Sequence, residues 1–80
     1  MRRGLVFFAL LLTGCGPSEN VETLYRNSSL DENARIHVAT FDAAESRAYN
    51  QENCRQAKEL FQAQPAARTR FWCEAGRYRQ

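Results

Sequence analysis

Apolar and polar positions change rhythm several times along this chain. Leu5 to Leu12 is a continuous apolar run behind Arg2 and Arg3. Gly16-Pro17-Ser18-Glu19-Asn20 then carries turn-forming and polar residues without an apolar period, which marks a linker. Val21 to Asn27 alternates loosely and holds Val, Thr and Tyr, residue types that suit a strand. Ser28 to Asn33 is a polar connection interrupted only by Leu30, and Ala34 to Phe41 (ARIHVATF) is the most strand-like run. Two neighbouring strands with a short connection pair most simply as an antiparallel hairpin.

A helical period follows. Cys54, Ala57, Leu60 and Phe61 fall on one apolar stripe, with Arg55, Lys58, Glu59 and Gln62 on the wet side. Asn50 fits an N-cap, Glu52 suits the positive end of the helix dipole, and Pro65 ends the segment. The pattern predicts a helix over Gln51 to Ala63, while Ala43 to Tyr49 fits an extra turn or a loop equally. Arg68 to Cys73 (RTRFWC) reads as a third strand and Ala75-Gly76 as a turn. Arg77-Tyr78-Arg79 either pairs briefly as a fourth strand or frays. The expected fold is α+β: a small ββαβ domain with a three-stranded sheet and one helix on one face.

The N-terminal apolar run has eight residues, too short for a spanning helix, which needs about 20. It ends in Leu12-Thr13-Gly14-Cys15. That stretch resembles the lipobox of bacterial lipoproteins: an aliphatic residue, a small residue, Gly and Cys. The resemblance implies a diacylglycerol thioether on Cys15, cleavage before it, and acylation of the new amino terminus by a fatty acid such as palmitate. Gly16 in place of Asp implies the outer membrane and a periplasm-facing domain, with the inner membrane as the alternative. The organisation expected is a signal peptide at 1–14, a lipidated cysteine and tether at 15–22, and a disulfide-linked domain at 23–80. Five to seven extended tether residues reach roughly 20 Å. Each buried methylene adds about 0.8 kcal/mol, so two or three chains on one cysteine make attachment to the membrane effectively permanent.

Removing the signal changes the charge and the size. The chain has 80 residues, so 66 remain from Cys15 onward. Arg2 and Arg3 leave with the signal, so the formal +2 disappears and nine Lys/Arg face nine Asp/Glu. A nucleic-acid partner based on net charge is therefore not expected. So small a domain has a marginal core without a staple.

Cys54 and Cys73 remain once Cys15 is assigned to lipid, and an exported pair of thiols usually becomes a disulfide. Topology points the same way. In a strand-helix-strand crossover the helix starts at the sheet edge where the second parallel strand ends. Cys54 in the first helical turn and Cys73 at the end of the last strand should therefore meet. A reactive or metal-binding pair would need closer spacing or a nearby His.

Catalytic signatures do not appear: there is no G-x-S-x-G, no phosphate loop and no H-E-x-x-H. No enzyme activity, cofactor, metal or small-molecule substrate is expected. His37 is the single histidine and reads as a half-exposed strand residue; Asp42, Glu45, Glu52 and Glu59 read as solvated charge. Arg68, Arg70, Arg77 and Arg79 gather at the C-terminus against Glu74.

Strand alternation places Phe71 and Cys73 toward the helix and Arg70 and Trp72 away from it. In the second strand Ile36, Val38 and Thr40 form the more core-like set, which puts His37 and Phe41 beside Trp72, with Tyr25 joining from the first strand. Trp72, Arg70, Phe41, His37 and Tyr25 are thus the candidate partner-binding residues. The expected function is that of a non-enzymatic interaction module binding another envelope protein, or else an accessory lipoprotein stabilising an envelope assembly. In lipobox, size and cysteine usage the chain is similar to the exclusion lipoproteins of conjugative plasmids.

Overall fold

The computed structural model describes residues 20–79; the expected signal peptide, the stretch resembling a lipobox and Cys15 lie outside the described residues. Glu22–Ser28 forms β1 and Asp31–Phe41 forms β2, an antiparallel hairpin closed by Ser29 and Leu30. The polar connection is shorter than its composition suggests because it satisfies itself locally. Ser28 Oγ accepts from Leu30 N at 3.0 Å and Asp31 Oδ1 from Asn33 N at 2.9 Å, the side-chain chemistry of tight turns. Helix α1 (Arg47–Gln62) follows, and β3 (Phe71–Ala75) returns antiparallel on the other side of β1. The sheet order is β2-β1-β3, with one helix, an α+β ββαβ domain. β3 is thus parallel to β2 but separated from it by β1.

The helix begins four residues before the expected start. Ser46 is the N-cap, its Oγ accepting from Tyr49 N at 3.1 Å. Asn50 lies inside the first turns and is 1% exposed. Its Nδ2 donates to Asn20 O (2.6 Å) and Ala43 O (3.1 Å), and its Oδ1 accepts from Ala43 N (3.1 Å). Both residues have capping chemistry. Asn50 is diverted because tertiary carbonyls surround it, so it ties the start of β1 and the loop after β2 to the helix.

Cys54 and Cys73 are joined, with Cα atoms 6.3 Å apart. Cys54 falls in the middle of α1 and Cys73 in the middle of β3, opposite Leu24 of β1, rather than at a helix start and a strand end. The bond therefore crosses the centre of the layer. The buried hydrophobics are Val21, Leu24, Tyr25 and Cys54. Of the expected stripe, Leu60 is 73% and Phe61 37% exposed, Phe61 stacking on Phe71 at 5.4 Å. Glu22 is also buried, its Oε1 without a hydrogen-bond partner; such an oxygen costs about 1–3 kcal/mol.

A bulge in β2 resets the faces. Leu24 pairs with Ala39 but Tyr25 pairs with His37, so Val38 is an extra residue. Ile36, Ala39 and Phe41 consequently share the helix side, and His37 and Thr40 share the other. The expectation that Phe41 stands beside Trp72 is corrected here: strict alternation fails where one residue is skipped. β3 also shifts relative to the expected Arg68 to Cys73. Gln62 Nε2 donates to Thr69 O (2.8 Å), Gln62 Oε1 accepts from Phe71 N (2.9 Å), and Asn27 Oδ1 accepts from Arg70 N (2.7 Å). Side chains thus take up the backbone before Phe71, and β3 runs on to Ala75 opposite Glu22.

Two stability predictions follow from this packing. Replacing both Cys54 and Cys73 by Ala should cost about 3 kcal/mol for a loop of this separation. That corresponds to a fall of more than roughly 10 °C in midpoint for a domain of this size, checked by thermal unfolding. Asn50→Ala should cost about 3 kcal/mol in urea unfolding, from three lost hydrogen bonds, against about 1 kcal/mol for Ser46→Ala. Equal costs would contradict the division of roles between the two residues.

Candidate functional site

The sheet face turned away from α1 is built on Tyr25, which is fully buried although it points away from the helix. Its neighbours bury it. Trp72, its cross-strand partner on β3, stacks on it at 5.9 Å between ring centroids and 24° between planes. Arg35 of β2 lies over its ring, 4.1 Å from the centroid. Tyr78 covers it from a third side at 6.1 Å and contacts the His37 ring at 4.7 Å.

Tyr78 gets there because the chain reverses at Gly76, whose φ of 100° is readily adopted only by glycine. Gly76 N donates to Val21 O at 2.7 Å and Thr23 Oγ1 to Gly76 O at 2.7 Å, so the turn is anchored on the central strand. The segment after Gly76 forms no strand among the described residues. It lies across the face, with Arg77 Nη1 on Asp42 Oδ2 at 3.2 Å and Arg79 O accepting from Arg35.

Glu74 organises the polar groups. Arg35 donates to it from Nη2 (2.6 Å) and Nε (3.3 Å), a two-pronged contact, and Trp72 Nε1 donates to Oε2 at 2.8 Å. These donors, Arg35 first and then Trp72, hold the Glu74 carboxyl below the ordinary carboxylate range, and Glu74 in turn holds Arg35 more firmly protonated. Arg70 stacks its guanidinium on the outer face of Trp72, 4.9 Å from the ring, and no carboxylate among the described residues pairs with it. His37 is exposed and its Nε2 lies 2.7 Å from Thr40 Oγ1.

The structure therefore brings together Tyr25, Trp72, Arg70 and His37 and excludes Phe41, which lines a groove between β2 and α1 with Tyr49, Asn53, Ala57 and Leu60. Arg35, Glu74 and Tyr78 were not singled out from the sequence. Alternation offered a signal for two of them, since Arg35 is two residues from His37 and Glu74 two from Trp72. Tyr78 depends on the Gly76 reversal, which local pattern does not orient. What the arrangement offers chemically is a row of π faces with cations above them, suited to apolar and anionic groups.

On the helix, Arg55 bridges Glu52 and Glu59, and hydrogen bonds from Arg55 and then Gln56 lower Glu52 to about 2. Among the described residues no group of three His, Cys, Asp or Glu could hold a metal ion, and no helix is long and apolar enough to cross a membrane. Compared with protein-family models, curated proteins and solved structures, the chain matches none.

A carboxyl whose folded-state pKa is lowered contributes stability that is present above its unfolded value, about 4.3, and lost as pH falls through the folded value. Glu74→Gln should therefore lower the unfolding midpoint at pH 7 and flatten its decline toward pH 2. The two proteins should converge at the acid end, with Glu52 accounting for part of the remaining slope. Midpoints measured across this range check it, and parallel curves would contradict it.

Proposed function

We propose that this protein is a lipid-anchored cell-envelope lipoprotein whose domain acts as a non-enzymatic interaction module, held at the outer membrane and binding another envelope protein. An exclusion-type role at the cell surface is one form such a module takes. Support for the anchor is Leu12-Thr13-Gly14-Cys15 behind a short apolar run. Support for the module is the single feature of a solvent-facing arginine, Arg70, stacked on Trp72 over a buried Tyr25. Aromatic and arginine side chains set on a rigid, buried base are what interface hot spots are made of.

Geometry adds a direction to this reading. The tether enters at Asn20, fixed by Asn50 at the start of β1, whereas Trp72 and Arg70 lie toward the other end of β1, against Tyr25 and Asn27. Along β1, Tyr25 and Asn27 lie three and five residues beyond Glu22, roughly 10 to 17 Å. The Arg70–Trp72 pair is therefore carried away from the tethered end.

The test uses the protein in its membrane. Cys15→Ser should abolish metabolic lipid labelling; unchanged labelling would remove the anchor from the proposal. In-cell crosslinking followed by mass spectrometry should yield a discrete envelope protein, and Trp72→Ala should reduce that yield while the domain still unfolds cooperatively. A folded Trp72→Ala protein with undiminished crosslinking would defeat the assignment of this face.

A further inference from the structure

Among the described residues no strand pairs with the outer edge of β3. Pairing with β1 uses the backbone of alternate residues: Asn27 N donates to Arg70 O at 3.1 Å and Gly76 N to Val21 O at 2.7 Å. By alternation the N–H and C=O groups of Phe71, Cys73 and Ala75 point away from β1. The C-terminal segment does not cover them, because it crosses toward β2, with Arg77 on Asp42 and Tyr78 on His37.

One group does reach this edge. The Gln62 carboxamide donates to Thr69 O and accepts from Phe71 N, as the peptide group of an adjacent strand would. The first position of the edge is thus filled by a peptide-like group from the helix. Beyond it, no hydrogen bond among the described residues occupies the outward Cys73 and Ala75 N–H groups. Alongside runs a groove of about 410 Å³ between the last turns of α1 and β3, lined by Lys58, Glu59, Gln62, Ala63 and Phe71.

Charge decides what this edge suits. Glu59 in the groove shares Arg55 with Glu52, while Lys58 pairs with no carboxylate among the described residues. On the opposite face of the same strand Arg70 is equally without one, and Glu74 is held by Arg35 and Trp72. Both sides of the free edge therefore present an uncompensated cation, and a strand laid there projects alternate side chains to both.

We propose that the outer edge of β3 accepts an acidic extended segment of an envelope protein as a fourth strand. Its backbone pairs with Cys73 and Ala75, apolar side chains lie on Phe71 in the groove, and carboxylates meet Lys58 on one side and Arg70 on the other. This rests on the interaction-module reading and assigns it a mode, strand addition, and a partner chemistry.

The probe is the synthetic heptapeptide Glu-Glu-Val-Thr-Val-Glu-Glu, which as a strand presents Glu and Val on one face and Glu and Thr on the other, titrated into full-length, lipidated, ¹⁵N-labelled protein in detergent micelles. Saturation should slow exchange of the Cys73 and Ala75 amides by about tenfold or more. Ala75→Pro removes an outward N–H without touching a β1 hydrogen bond, and should weaken binding about tenfold or more. Lys58→Glu with Arg70→Glu should do the same and confer binding of the peptide Lys-Lys-Val-Thr-Val-Lys-Lys, which carries lysines on both faces. This charge pair carries the test if Ala75→Pro fails to fold. Absence of binding up to about 1 mM, or binding that leaves both amides unprotected, would overturn the proposal.

A photocrosslinker at position 75 or at position 37 in cells separates this proposal from the reading beneath it. Capture through 75 that disappears with the charge reversals supports strand addition. Capture through 37 alone overturns strand addition and leaves the interaction module standing, and capture through neither overturns the module itself. A homodimer through 75 overturns it in favour of a second copy of this chain.

Discussion

The bond between Cys54 and Cys73 joins the middle of the helix to the middle of an edge strand, directly over Leu24 of the central strand. Among the described residues the buried hydrophobics are Val21, Leu24, Tyr25 and Cys54, and no other contact there fixes helix to sheet so firmly. A core this small supplies little hydrophobic stabilisation, so the covalent link, which restricts the unfolded chain, carries a large share. It also decides lateral position. Pinned to β3, the helix covers β1 and β3 and leaves the helix side of β2 only partly covered, which is why Leu60 is exposed and Phe41 is half-buried in an open groove.

β1 serves both faces. Toward the helix it places Leu24 under the disulfide; on the other side it places Tyr25 under Trp72, Arg35 and Tyr78. A thin sheet with only one helix would ordinarily leave its second face wet. Here aromatic and guanidinium groups form a second, smaller packing layer, tied at Glu74 and closed by the chain reversal at Gly76. The layer is rigid where Tyr25 is buried and open where Arg70 meets solvent, which gives a partner a fixed base and an accessible charge.

Edges and polar side chains divide the remaining work. Asn50 satisfies two backbone segments from inside the helix, and Gln62 satisfies the start of β3 from the helix end. Each long-range amide replaces a backbone partner that so short a sheet cannot supply. That leaves the rest of the β3 edge available, and edge strands of this kind either need protection or serve for pairing.

Much of this was legible in the residues. Two strands, a helix and a strand, an antiparallel hairpin, and a Cys54–Cys73 link follow from side-chain period and from the few places two thiols can meet, all properties carried by local sequence. The grouping of Tyr25, His37, Trp72 and Arg70 on one face also followed from the pleat. Tertiary structure decided the rest. The extra residue at Val38 moved Phe41 to the helix side, because a bulge depends on how β2 fits the twisted central strand and leaves no mark in a run of β-branched residues. Ser46 rather than Asn50 caps the helix because Asn50 finds the carbonyls of Asn20 and Ala43, and β3 slid toward Ala75 because Gln62 and Asn27 engage the residues before Phe71. Such choices rest on partners distant in sequence, and only the folded chain brings those partners within hydrogen-bonding range.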